Sequence, residues 1–259
     1  MILKKTPEQI GRMHAAGQLL ARIMGCLAEA VIPGTTTRDL DALADSLIRE
    51  GGAVPAFLGY QGFPASICAS PNSVVVHGFP DDRKLKEGDI LSADVGLILE
   101  SWHADTAYTY PVGEVDPEAV LLLQVTQASL EAGILRCFPG NRLSDISHAV
   151  QTVVEEAGFS VVREYVGHGI GRQMHEAPQI PNFGPPGMGP CLEAGMVLAI
   201  EPMVNVGGWR TKPLEDGWTV VTADGSLSAH FEHTVAITPA GPHVLTRLEE
   251  RVSSAGAGQ

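Results

Sequence analysis

Four carboxylates stand inside stretches that otherwise read as apolar, strand-forming sequence. Asp94 lies in ILSADVGLIL, Asp105 in HADTAYTYPV, Glu201 in MVLAIEPMV and Glu232 in AHFEHTVAI. A charged group in a buried strand costs free energy unless it is paired or bound to a metal. One such acid is readily paired with an arginine. Four are harder to pair in a chain with 17 Lys+Arg against 30 Asp+Glu. Any fold for this chain therefore has to bring these acids together around cations or leave them at its surface.

Asp94 and Asp105 admit a geometric reading. A hairpin turning at Leu99-Glu100 places them directly opposite each other, and directly opposed residues share one face of an antiparallel pair. Two like charges there repel, and a cation between them relieves the repulsion. Taken alone, the pair also fits one turn aspartate and one exposed aspartate. Four carboxylates joined by one imidazole suit two divalent ions. Oxygen-rich ligation favours manganese, iron, cobalt or zinc over a thiolate zinc site. Two such ions acidify a water and supply hydroxide at neutral pH. The imidazole candidate is His168, set between glycines in Val166-Gly-His-Gly-Ile-Gly171 and followed by Met174-His175-Glu176-Ala177-Pro178. The segment lacks the lysine of a P-loop and the strand–turn–helix setting of a dinucleotide site.

The remaining sequence bounds the answer. The chain has 259 residues, 44% of them hydrophobic, and a net charge of −13. That charge disfavours nucleic acid and anionic membrane as partners. No run of 18 apolar residues predicts a spanning helix, and the N-terminal residues lack a signal peptide's apolar core. A cytoplasmic protein is expected. Cys26, Cys68, Cys137 and Cys191 show no C-x-x-C pair and are expected as buried free thiols.

Thr6-Pro7-Glu8 predicts a helix start, running to Pro33-Gly34, and a second helix is expected over 37–49. Residues 53–64 read as loop. Strands are expected at 65–70, 74–77, 90–98 and 105–112, helices near 116–135 and 144–157 (the latter capped by Ser144), then strands at 161–166, 196–204, 218–222 and 230–238. The Pro/Gly-rich stretch from Ala177 to Pro190 reads as an ordered loop. Helices, strands, helices, strands describe an α+β domain with two similar halves around one sheet. Residues 1–252 are expected as one catalytic domain and residues 253–259 as a disordered tail.

Taken together the motifs resemble the type I methionine aminopeptidases, which have the pita-bread fold: a pseudo-twofold antiparallel sheet with flanking helices. The resemblance spans residues 6 to 247. It rests on Val76-His77-Gly78-Phe79-Pro80, Ala93-Asp94-Val95-Gly96, His103-Ala104-Asp105-Thr106, the two glycine and histidine segments above, Ile200-Glu201-Pro202 and Phe231-Glu232-His233-Thr234. It implies removal of the initiator methionine from nascent proteins, with a small second residue preferred. Asp94 would chelate one ion, Asp105 and Glu232 would bridge two, and His168 and Glu201 would complete the second. His77 and His175 would contact the scissile amide, and Glu201 would also shuttle a proton. Phe57, Tyr60, Phe63, Cys68, His77, Met174 and Trp218 match the methionine pocket, although plain core packing also accounts for the aromatics.

Phe57 and Met174 depart from the common bacterial pattern, in which cysteine and phenylalanine are frequent. Asn72, Val74 and Ser228 match a loop site for a monovalent cation. The short start before the first helix, and the short gap of residues 176–200 between His175 and Glu201, fit the type I form. The resemblance further implies a monomer meeting nascent N-termini at the ribosome exit. Two alternatives remain: a proline-specific aminopeptidase or prolidase of the same fold, and a non-catalytic pita-bread protein that only binds partners.

Overall fold

The protein is described from a computed structural model over residues 1–249; the expected tail at 253–259 lies outside the described residues. Helix α1 (Pro7–Ala30) starts where the capping sequence places it. The Gln9 backbone N–H donates to the Thr6 hydroxyl at 3.3 Å, and the Thr6 N–H donates to the Gln9 side chain at 3.0 Å. Such a reciprocal cap satisfies two backbone donors that a helix start otherwise orphans. Thr36 and Asp39 repeat the device at α2 (Thr37–Glu50). Helices α3 (Pro117–Ile134) and α4 (Leu143–Glu156) open the second half. The expected Ser144 cap is not used. Arg142 holds the cap position, its N–H donating to Asp145 at 2.7 Å, and the Ser144 hydroxyl accepts from the Met188 N–H at 2.7 Å. The hydroxyl thus ties α4 to the Pro/Gly-rich segment.

The strands Ile90–Leu99 and Trp102–Pro111 form the expected hairpin, with a corrected register. Glu100 and Ser101 make the turn, both with positive φ (48° and 67°), so Leu99 pairs with Trp102. Asp94 lies opposite Ala107, and Asp105 opposite Gly96. The two aspartates are diagonal neighbours instead of direct partners. Side chains alternate with period two, so this offset keeps both on one face. The other face carries Leu91, Val95 and Leu97 into a core with Leu20, Ile23, Leu27, Leu40 and Ile48 of α1 and α2. The strand Ile67–Pro71 adds to the hairpin and sets Cys68 opposite Asp94.

The second half repeats the plan. A five-stranded antiparallel sheet runs in the order Gly241–Val244, His233–Thr238, Val197–Ile200, Gly167–Gly169, Glu176–Ile180. Leu198, Ile200, Val235 and Ile237 pack there with Leu122, Leu130, Ile146 and Val154 of α3 and α4.

Two of the expected long strands are broken. Residues 196–204 divide into Val197–Ile200 and Met203–Asn205, and residues 230–238 into Ser228–His230 and His233–Thr238. The pieces belong to different sheets. Glu201 and Glu232 therefore sit in the breaks, at the seam where the chain changes sheet. The strand expected at 161–166 shrinks to Ser160–Val161. The stretch read as loop contains the strand Glu176–Ile180, whose Pro178 obscures it but is tolerated at a sheet edge. Residues 53–64 contain the short strand Val54–Pro55. All four cysteines are free thiols; Cys68 and Cys137 are buried as expected, whereas Cys26 is exposed and Cys191 half-buried. Among the described residues no helix is long and apolar enough to cross a membrane.

Candidate active site

The seam between the halves is stitched by the residues that flank the acids. The Glu232 N–H donates to the Ala107 carbonyl at 2.8 Å, and the Thr106 hydroxyl donates to the Glu232 carbonyl at 2.6 Å. The Asp105 N–H donates to the Thr234 hydroxyl at 3.1 Å, which in turn donates to the Asp105 carbonyl at 2.8 Å. These bonds hold the backbone of Asp105 against that of Glu232 before any ligand is present.

Asp105, His168 and Glu232 are buried, and one donor atom from each lies within 4.8 Å of the others. Glu201 joins them, its Oε1 at 3.5 Å from His168 Nε2, and Asp94 approaches from across the hairpin. His168 Nδ1 lies 2.9 Å from the Gly169 carbonyl. A carbonyl only accepts, so Nδ1 carries the proton and Nε2 turns a lone pair toward the acids. Burial lowers the His168 imidazole to about 4, with His175 adding to the effect, which keeps that lone pair free.

The carboxylates show the opposite shift. Burial raises Asp94 to about 7. Asp105 and Glu232 are pushed well above their ordinary values, first by burial and then by the neighbouring acids, and Glu201 by burial and then by Asp94. Asp94 Oδ1, Asp105 Oδ1 and Glu232 Oε1 are buried without a hydrogen-bond partner. Among the described residues no lysine or arginine pairs with any of the four acids. Orphaned buried oxygens are rare and costly. Here they converge with an oriented imidazole, and the donor set fits divalent ions of the manganese-to-zinc class.

Next to this floor lies a slot. Phe57, Tyr60, Phe63, Cys68, His77, His175 and Trp218 line one cavity of about 80 Å³ together with the five candidate ligands. Phe63 and Trp218 meet edge-on with centroids 5.1 Å apart, and His77 meets Trp218 edge-on at 6.0 Å. Met174 is the exception among the expected pocket residues. It is buried in a core with Met13, Trp102 and Ile170, and it backs the slot instead of lining it. Gly96 makes room for this arrangement. A Cβ there would fall 2.7 Å from both Met174 Cε and Phe57 Cε1.

The two further histidines are held as neutral groups. His77 is lowered to about 4, chiefly by burial and then by His175, and it sits at φ 60°, in the left-handed region that non-glycine residues seldom adopt. Gly78 beside it is required because a Cβ would strike the Ala69 carbonyl at 2.3 Å. His175 is lowered by burial and by His103, and its Nδ1 lies 2.8 Å from the Tyr60 hydroxyl.

Sequence reasoning missed His230. It is buried, its Nε2 lies 3.7 Å from Glu201 Oε2, and that nitrogen has no hydrogen-bond partner. The available signal was its place two residues before Glu232. Also unanticipated was the buried pair Lys5–Glu176 at 2.7 Å, which anchors the loop bearing His175. The expected monovalent-cation residues are brought together in part. The Ser228 N–H donates to the Asn72 carbonyl at 2.9 Å, and Val74 begins the strand Val74–Val76. The Asn72 side chain is already engaged by Asp89 and the Ile90 N–H, so only carbonyl groups and the unpartnered Ser228 Oγ are left for an ion.

Comparison with known proteins agrees with this geometry. The profile of metallopeptidase family M24 matches residues 11–239. The methionine aminopeptidase of Clostridium perfringens is 53% identical over 249 residues, covering 96% of this chain and all of that protein. Methionine aminopeptidase 1 of Bacillus subtilis is 53% identical over 248 residues, again over 96% of this chain and all of the relative. The crystal structure of the Thermotoga maritima methionine aminopeptidase superposes with a TM-score of 0.94 at 48% identity, covering 95% of this chain and 100% of that one. The chain belongs to metallopeptidase family M24 and, within it, to the methionine aminopeptidases.

Proposed function

We propose that this cleft hydrolyses the amide bond after an N-terminal methionine on newly made proteins, with a small residue preferred in second position. The observation that carries the reading is the contact between two unlike surfaces: an aromatic and thiol-lined slot opening directly onto four clustered carboxylates, three of which carry a buried oxygen without a hydrogen-bond partner. A thioether suits such a wall, because its sulfur is polarisable and packs against aromatic edges. Asp94, Asp105, His168, Glu201 and Glu232 would hold two divalent ions of cobalt, manganese, iron or zinc. When bound, such ions supply Lewis acidity, lowering the pKa of water and polarising a carbonyl.

The chain's own groups supply the rest. Glu201, at the edge of the cluster, would take a proton from the attacking water and return it to the leaving amine. With the Tyr60 hydroxyl donating to Nδ1, neutral His175 carries its proton on Nε2. That N–H donates to the carbonyl oxygen as negative charge develops there. His77, edge-on to Trp218 in the same slot, would contact the peptide at the leaving amine. Phe57, Tyr60, Phe63, Cys68 and Trp218 exclude water from the methionine side chain. Carbonyl groups around Asn72, Val74 and Ser228 would take a monovalent cation that stiffens the neighbouring strand ends. The working setting is a monomer acting in the cytoplasm on chains emerging from the ribosome.

A peptide panel tests the assignment. Met-Ala-Ser and Met-Gly peptides should be cleaved with divalent metal and left intact with chelator. Faster cleavage of Xaa-Pro peptides would replace this reading with a proline-specific one. Absence of any metal-dependent peptidase activity would leave a binding protein.

A further inference from the structure

A second cluster of metal-ligating side chains lies outside the cleft. His14 on α1, His243 on the strand Gly241–Val244 and Glu249 just beyond that strand each offer one donor atom within 4.8 Å of the other two. His14 Nε2 is 3.4 Å from Glu249 Oε1, and His243 Nε2 is 3.9 Å from the same oxygen. The two rings are 5.0 Å apart and tilted by 36°. Ligand atoms at zinc-bonding distance in a tetrahedral site lie about 3.3–3.5 Å from one another. One edge of the triangle already has that length, and another needs a few tenths of an ångström of closure.

Neighbouring groups hold this arrangement in place. Gln18 lies one helical turn from His14. Its amide donates to the Leu245 and Arg247 carbonyls at 3.1 and 2.7 Å, and its oxygen accepts from the Glu249 N–H at 3.2 Å. This strap sets the Glu249 backbone opposite His14. The nearby cations are turned to other acids, Arg12 to Glu8 and Arg247 to Glu131. A surface ion pair accounts for one histidine facing the carboxylate. It does not account for two rings from separate elements turned onto one oxygen. Two imidazoles and a carboxylate, with a side open to solvent for water, are a donor set for a zinc-class dication.

We propose that His14, His243 and Glu249 form a second, surface site for a zinc-class transition-metal dication, and that the ion clasps the segment 246–249 to α1. The site rests on its own geometry and not on the catalytic reading. The test measures zinc bound per chain by equilibrium dialysis, with free zinc buffered in the low micromolar range, for the wild type, His243→Ala and Glu249→Gln. Glu249 is exposed and His243 half-buried at the end of an edge strand, and the Glu249→Gln variant keeps the test independent of any folding cost at His243. The expected result is one zinc equivalent fewer in each variant, with metal-dependent peptide hydrolysis unchanged. Zinc should also slow carboxypeptidase trimming of the wild-type C-terminus and leave trimming of the variants unaffected. Equal zinc uptake by the wild type and His243→Ala overturns the proposal. The readout is a difference in stoichiometry, so it stands whatever the cleft binds.

Discussion

Two groups of buried acids in this protein are treated in opposite ways. Glu176 is fully served: Lys5 Nζ donates to its Oε2 at 2.7 Å, and the Arg172 N–H donates to its Oε1 at 2.8 Å, with only 5% of either side chain of the Lys5–Glu176 pair exposed. Among the described residues, Asp94, Asp105, Glu201 and Glu232 receive no such cation, and three of them carry an orphaned oxygen. The chain can therefore bring a lysine from its N-terminus to a buried acid 171 positions away where the task is to anchor a loop. Where the acids face the slot, it leaves the positive charge to come from solution. An internal ammonium would fill the space that a substrate-activating ion needs. The contrast separates an acid neutralised within the protein from acids left without an internal cation among the described residues.

The sharpest way to break that contrast is to remove metal and vary pH. Asp94 is raised from 3.8 to about 7, so the folded, metal-free protein holds a proton that the unfolded chain releases. That contribution to stability is fully present below pH 3.8 and is lost as pH rises to about 7. Chelated protein should lose melting temperature across this window, and divalent metal at a hundredfold its dissociation constant should restore about 2.7 kcal/mol. Parallel melting curves with and without metal would sink the claim that these acids await cations. Glu201→Gln comes next. Turnover of a Met-Ala-Ser peptide should fall by about 10³-fold if the carboxylate moves the proton, and near-normal kcat would refute that role.

Lys5→Met probes the other member of the comparison. Leaving Glu176 buried and unpaired should cost about 3 kcal/mol in denaturant unfolding, with metal stoichiometry at the cleft unchanged; a loss below about 0.5 kcal/mol, as for an ordinary surface site, would show the pair to be dispensable. The smallest effect is expected at Tyr60→Phe. Loss of the hydroxyl that orients His175 should lower kcat by about tenfold, or ~1.4 kcal/mol, leaving chelated-protein stability as it was. A pure rise in KM would make Tyr60 a pocket wall and nothing more.

Much of the site is legible in the sequence because local patterns encode it. Thr6-Pro7-Glu8 marks the start of α1, which ends at Ala30, a few residues before the expected stop at Pro33-Gly34, and the apolar spacing over 37–49 sets α2 to within one residue. The two aspartates remained on one face even though the turn falls at Glu100-Ser101, because period-two alternation survives an even offset. The breaks at Glu201 and Glu232 were not legible. A β-prone run looks continuous whether it stays in one sheet or crosses to the next, and the crossing is decided by which neighbours are available.

The sequence by itself thus determined the main helices, the central hairpin and the family, and it set four acids inside apolar strand patterns with His168 between glycines as the fifth candidate ligand. The helices, hairpin and acids follow from local pattern and spacing along the chain, whereas the family and His168 rest on the resemblance of motifs to the methionine aminopeptidases. Only the tertiary structure decided that Met174 backs the slot, that His230 faces Glu201, that Lys5 serves Glu176, and that His14 and His243 converge on Glu249. Three of these rest on contacts between residues distant in the chain. The fourth, His230 with Glu201, depends on how two broken strands meet at a seam. No local period records such meetings; they arise when sheets and helices close on one another.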